Sequence, residues 1–164
     1  MDARMPPMPS ETLLLGIAQI AVVIAGFTAV TSVLEPPGGA WSPALRLRHR
    51  AIVSTSFNVM FEALVPLIVF AWLADVRSSL ILSSAGVALY AGCIVALRLR
   101  QFIRTGAFRT RSGKLLLVMG PAAFLLFGAN ALLFGSLAVY ALALCVQLSV
   151  AVVSFYTLVA AALS

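Results

Sequence analysis

From Leu115 to Ser164 the chain carries no charged side chain, and one helix of that length would extend about 75 Å at 1.5 Å per residue. A hydrocarbon core is only about 30 Å thick, so the run has to fold back within a bilayer. The turn is expected among Gly128, Asn130, Gly135 and Ser136, residues that interrupt helices, which gives spans over 115–134 and 137–163.

The upstream sequence has the same character. A first apolar run covers 11–34, with Ser10 as its expected cap and Pro36, Pro37, Gly38 and Gly39 ending it. Its flank holds Asp2 and Glu11 beside Arg4, and it is too long for a signal-peptide core, so it is read as part of the mature chain. Ser42 and Pro43 open a helix that passes Arg46, Arg48 and Arg50 into a second span over 51–74. Ser78 or Ser79 is expected to cap a third, over 79–97.

Composition agrees: of 164 residues 62% are hydrophobic and 10% charged, where soluble domains average about 25% charged. A soluble enzyme, a disordered tail and a disulfide scaffold are poor fits. The fold class expected is therefore all-α: a polytopic membrane protein with five transmembrane helices forming one domain over 1–164.

Loop charge sets the orientation, because Lys and Arg collect on the cytoplasmic side. With the amino terminus outside, Arg46, Arg48, Arg50, Arg98, Arg100, Arg104, Arg109, Arg111 and Lys114 lie inside, against only Arg4 and Arg77 outside. A cytoplasmic carboxyl terminus and an inner (plasma) membrane location follow as expectations. The basic segments, 43–50 and 98–114, both contain LRLR, at 45–48 and 97–100. Arg46, Arg48, Arg50, Arg98, Arg100 and Arg104 either fix orientation alone or contact anionic lipid or an acidic partner, at about 1 kcal/mol each near an anionic surface. No aromatic-basic platform or recognition helix stands outside the membrane, so nucleic-acid binding is not expected.

Glu62 sits near the middle of the second span, where an ionised carboxylate costs several kcal/mol. Thr55, Asn58 and Glu62 share a helix face, so the acid belongs to a polar stripe that should face protein or water. Four residues on, Pro66 lacks the N–H that would bond the Glu62 carbonyl, which leaves a backbone oxygen free beside the carboxyl. By depth, Gln19 and Gln147 fall within a turn or two of mid-membrane. Glu62, Asn58, Thr55, Gln19 and Gln147 thus form a candidate ion or proton site, and the bland reading makes the neutral acid interhelical glue.

Small residues offer flat ridges for close packing: Ser84, Ala88, Gly92 and Ala96 in the third span, Ala21, Ala25 and Ala29 in the first. They serve either internal packing or contact between copies. Trp41, Trp72 and Tyr140 are placed near the membrane boundaries as anchors, and Phe61, Phe70, Phe124 and Phe127 face lipid or core. Cys93 and Cys145 lie within apolar runs as small hydrophobes, and His49, without Cys or carboxylate beside it, builds no metal site.

No nucleophile elbow, P-loop or dinucleotide fingerprint occurs, so no cofactor and no enzyme activity are expected, an intramembrane lipid-modifying enzyme using Glu62 as base being the residual enzymatic reading. The leading expectation is a homo-oligomeric protein that conducts or senses a small cation or proton through Glu62. The alternative is a non-catalytic accessory or scaffold subunit of a larger membrane complex.

Overall fold

A computed structural model describes residues 8, 10–31, 43–105 and 111–162, with side chains at 8, 10–30, 46, 49–97 and 118–160. Among the described residues the chain is all-helical. α1 spans Glu11–Thr31, α2 Pro43–Leu73, α3 Val76–Thr105, α4 Arg111–Ala129 and α5 Leu137–Ala162. Four helical segments are long and apolar enough to cross a membrane: Glu11–Val30, His49–Leu73, Val76–Leu97 and Leu137–Ala160; a shorter apolar one covers Val118–Phe134. Large apolar side chains such as Phe27, Leu89, Leu125 and Tyr156 point outward, as a bundle solvated by acyl chains requires.

Sequence-adjacent helices pack against each other, and α5 also closes against α1, α2 and α3. Each adjacent pair runs antiparallel. His49 at the start of α2 meets the Thr28 carbonyl near the end of α1 at 3.1 Å, and Asn58 in α2 meets Tyr90 in α3. Leu14 and Ala21 of α1, Val59 and Ala63 of α2, Leu80 and Val87 of α3, Phe127 of α4 and Tyr140 and Leu144 of α5 form the main core. A second cluster joins Ile52 to Ala151 and Leu158. This connectivity gathers the basic ends of α2, α3 and α4 at one end of the bundle. Arg46 and Arg50 are exposed there; the side chains of Arg48, Arg98, Arg100, Arg104, Arg111 and Lys114, together with Arg109 and Trp41, lie outside the described residues.

The turns follow local chemistry. α2 ends with Ala74 in a left-handed conformation, φ 51°, its N–H bonded to the Phe70 carbonyl at 2.8 Å, the usual geometry of a helix C-terminus. The cap of α3 is Asp75 rather than Ser78 or Ser79: the Ser78 N–H donates to Asp75 Oδ2 at 2.7 Å, and the Ser79 hydroxyl donates back to the Asp75 carbonyl at 2.6 Å. An acid one position before the first helical residue satisfies orphan N–H groups and complements the helix dipole. Ser10 contributes to α1 through its carbonyl, which accepts from Leu14 N–H at 3.1 Å; its hydroxyl is buried without a partner.

The uncharged hairpin breaks where the sequence suggests. α4 continues as a π-helix over Asn130–Phe134 and stops at Gly135, φ 56°. Asn130 is fully buried. Its Nδ2 donates to Ser84 Oγ at 2.8 Å, its Oδ1 accepts from Ser136 N–H at 2.8 Å, and its carbonyl accepts from Gly135 N–H at 2.7 Å. Gly135 is required twice over, by its positive φ and because a Cβ there would lie 2.9 Å from Ile81 Cγ1.

The α3 ridge packs inward for most of its length. Ser84 holds Asn130, Ala88 is buried in the main core, and a Cβ at Gly92 would lie 3.0 Å from Phe124 of α4. Ala96 is exposed. In α1, Ala21 and Ala25 are buried and Ala29 is not. Cys93 and Cys145 are free and exposed on the bundle surface rather than buried among the apolar side chains.

Candidate intramembrane carboxyl site

Glu62 is buried in the structure, with 4% of its surface exposed. Helical phase explains this: Thr55, Val59, Glu62, Ala63 and Pro66 recur at three- and four-residue spacing on the face of α2 turned into the bundle. α2 runs unbroken through Pro66. The Glu62 carbonyl, deprived of its usual donor, accepts from the Tyr140 hydroxyl of α5 at 2.6 Å. The backbone oxygen expected to be free is therefore occupied, and Tyr140, read as a boundary anchor, is instead fully buried. Phe127 fixes its ring edge-on, with centroids 5.1 Å apart and planes at 71°.

The carboxyl group itself has a different surrounding. Gln147 of α5 is the polar side chain that interacts with it, yet neither Oε1 nor Oε2 reaches a partner at hydrogen-bond distance and angle. On its other side Glu62 lines a groove of about 370 Å³ between α2 and α3. Ser83, 1% exposed, contributes a third buried oxygen without a partner. Asn58 and Tyr90 line the same groove, joined by a 3.1 Å bond from the Tyr90 hydroxyl to Asn58 Oδ1. Phe61, Leu82 and Tyr90 form its exposed, largely apolar walls.

Of the five residues expected at the site, Asn58 and Glu62 share the groove and Gln147 meets the acid from α5. Thr55 is buried on the same helix but is not part of the groove. Gln19 does not belong: Ile17, Ala18 and Ala21 turn into the bundle, which leaves Gln19 on the exposed face of α1. Sequence depth suggested Gln19, but its rotation about the helix axis turns it outward. Ser83 and Tyr90 were missed, although Ser83, Val87 and Tyr90 at i, i+4 and i+7 mark one face of α3.

Chemically, the groove is an apolar, aromatic cleft lined by Glu62 and Ser83, whose oxygens are buried without a partner at hydrogen-bond geometry. Among the described residues no group of three His, Cys, Asp or Glu side chains gathers as metal ligands. These features define a helical-bundle protein with membrane-length apolar helices and a carboxyl site between two of them. Comparison with protein-family models, curated proteins and solved structures found no match.

Proposed function

We propose that this chain is a five-pass protein of the cell's inner (plasma) membrane, amino terminus outside and carboxyl terminus cytoplasmic, that takes up and releases a proton or small cation at Glu62. The observation that carries the reading is the pair of Glu62 oxygens, buried and without hydrogen-bond partners, on a groove that also holds the unpartnered Ser83 hydroxyl. Buried polar groups are nearly always satisfied, and an unmet one costs about 1–3 kcal/mol. Acceptors left open in mid-bilayer belong to a site that something else completes: a proton with water, or a cation. Asn58 and Tyr90 supply further polar atoms at the same opening.

The concentration of Arg and Lys at one end of the bundle supports the orientation. One bundle of five helices has little room for an enclosed path, so conduction or sensing is assigned to an assembly of copies around an axis. The test is pH-dependent flux in reconstituted vesicles. Glu62→Gln should abolish it while eluting at the same size as the parent protein. Unchanged flux in that variant discards the site.

A further inference from the structure

Glu62 lies 13 residues from His49 and 11 from Leu73, at the centre of the α2 apolar segment, about 17–20 Å from either end at 1.5 Å per residue. The exposed walls of its groove, Phe61, Leu82 and Tyr90, therefore open sideways at mid-bilayer depth. A hydrated ion does not approach by that route, because desolvation in hydrocarbon is prohibitive. A molecule that partitions among acyl chains does.

We infer that the α2–α3 groove binds lipophilic primary amines, which enter from the bilayer and seat their ammonium group on Glu62 and Ser83. This rests on the reading of Glu62 as a group that gains and loses a proton. Glu62 and Ser83 both line the groove, their side-chain oxygens are buried without a partner at hydrogen-bond geometry, and a primary ammonium brings three N–H donors to such acceptors. Charge-assisted bonds of that kind are roughly twice as strong as neutral ones. The rings of Phe61 and Tyr90 flank the groove and favour a cation over an anion, and its volume of about 370 Å³ falls within the range of small-ligand pockets. A phosphate-bearing lipid meets a carboxylate of like charge.

Binding exchanges one cation for another. The amine enters the acyl chains neutral, leaving one proton in water at the interface. In the groove it takes the Glu62 proton, so the Glu62 O–H bond breaks as the third N–H bond forms. The net exchange with solution is one ammonium bound for one proton released. Among the described residues no charged side chain other than Glu62 lines the groove: α3 brings Tyr90, α5 brings Gln147 to the carboxyl and Tyr140 to the Glu62 carbonyl, and α1 has no ionisable side chain after Glu11.

The experiment is calorimetric titration of the full-length protein in detergent with 4-phenylbutylamine, in buffers of different ionisation enthalpy. Affinity should rise with pH, with proton release at the acid end. Glu62→Gln should weaken binding roughly tenfold or more and remove the pH dependence. Gly86→Leu provides a second variant: Gly86 lines the groove, its Cβ position has nothing within 4 Å, and the added side chain should block the amine while leaving Glu62 intact. Equal binding by Glu62→Gln, or equal binding of the trimethylammonium analogue that lacks N–H donors, overturns the inference. An infrared carboxyl band that titrates in the parent protein and is lost in Glu62→Gln, without amine binding, overturns the inference and leaves the proton reading standing. Absence of that band removes both.

Discussion

The Tyr140 hydroxyl donates to the Glu62 carbonyl at 2.6 Å, across 78 positions of sequence, and replaces the backbone donor that Pro66 lacks. One bond ties the middle of α2 to the start of α5 and leaves the acid's side chain uninvolved. Backbone and carboxyl at one residue are thus divided between structure and chemistry.

Tyr140→Phe should destabilise the bundle by about 1–2 kcal/mol, the range for an interhelical hydrogen bond in a membrane and for a buried carbonyl left unpaired. Pro66→Ala restores an N–H four residues from Glu62, so it should recover part of the loss in the Tyr140→Phe background. Thermal unfolding of the two single variants and the double variant in detergent measures the coupling. Strict additivity would refute the substitution of one donor for the other.

Gly135→Ala should cost about 1–3 kcal/mol, since it places a side chain in a left-handed conformation and against Ile81. Ala74→Gly should act in the opposite direction, raising stability by about 0.5–1 kcal/mol, because Ala74 already holds φ 51° at a helix end. Unfolding midpoints measured side by side check both signs, and a Gly135→Ala protein as stable as the parent would contradict the close approach to α3.

Asn130→Ala removes the bonds to Ser84 and Ser136 together. A loss of about 2 kcal/mol or more is expected, larger than that of Ser84→Ala, which removes only one. Hydrogen exchange at the Ser136 amide should accelerate in Asn130→Ala and not in Ser84→Ala. Similar exchange in both would place the cap elsewhere.

Hydrogen bonds from Ser78, side chain and backbone, hold the exposed Asp75 carboxyl below the ordinary carboxylate value. The folded state therefore favours the charged form. Its contribution is complete above the ordinary value and disappears as pH falls through the depressed one. The midpoint difference between the parent protein and Asp75→Asn should be clear near pH 7 and shrink near pH 3. A difference that grows on acidification would reverse the assignment.

The helices, four of them long and apolar enough to cross a membrane, were legible because each depends on one-dimensional information: apolar length, and a turn signal such as Gly135 followed by a chargeless helix. Pro66 likewise announced an unsatisfied carbonyl. What satisfied it was not legible, since pairing Glu62 with Tyr140 depends on which faces of α2 and α5 meet. Gln19 shows the same limit from the other side: counting along the chain suggested it, and its place on the exposed face of α1 excludes it. Asp75 was a local signal overlooked in favour of the serines that follow it, though an acid before a helix caps as well as a hydroxyl does.

The turn between α4 and α5 has a bearing on biogenesis. Asn130 takes up the Gly135 and Ser136 amides within the turn itself, and no ionised group lies in either arm after Lys114. On the proposed five-pass topology, threading this loop through the translocon moves no charge and exposes little bare backbone to oil. The last two helices can consequently insert as a preformed pair, docking onto Ser84 once the first three are in place.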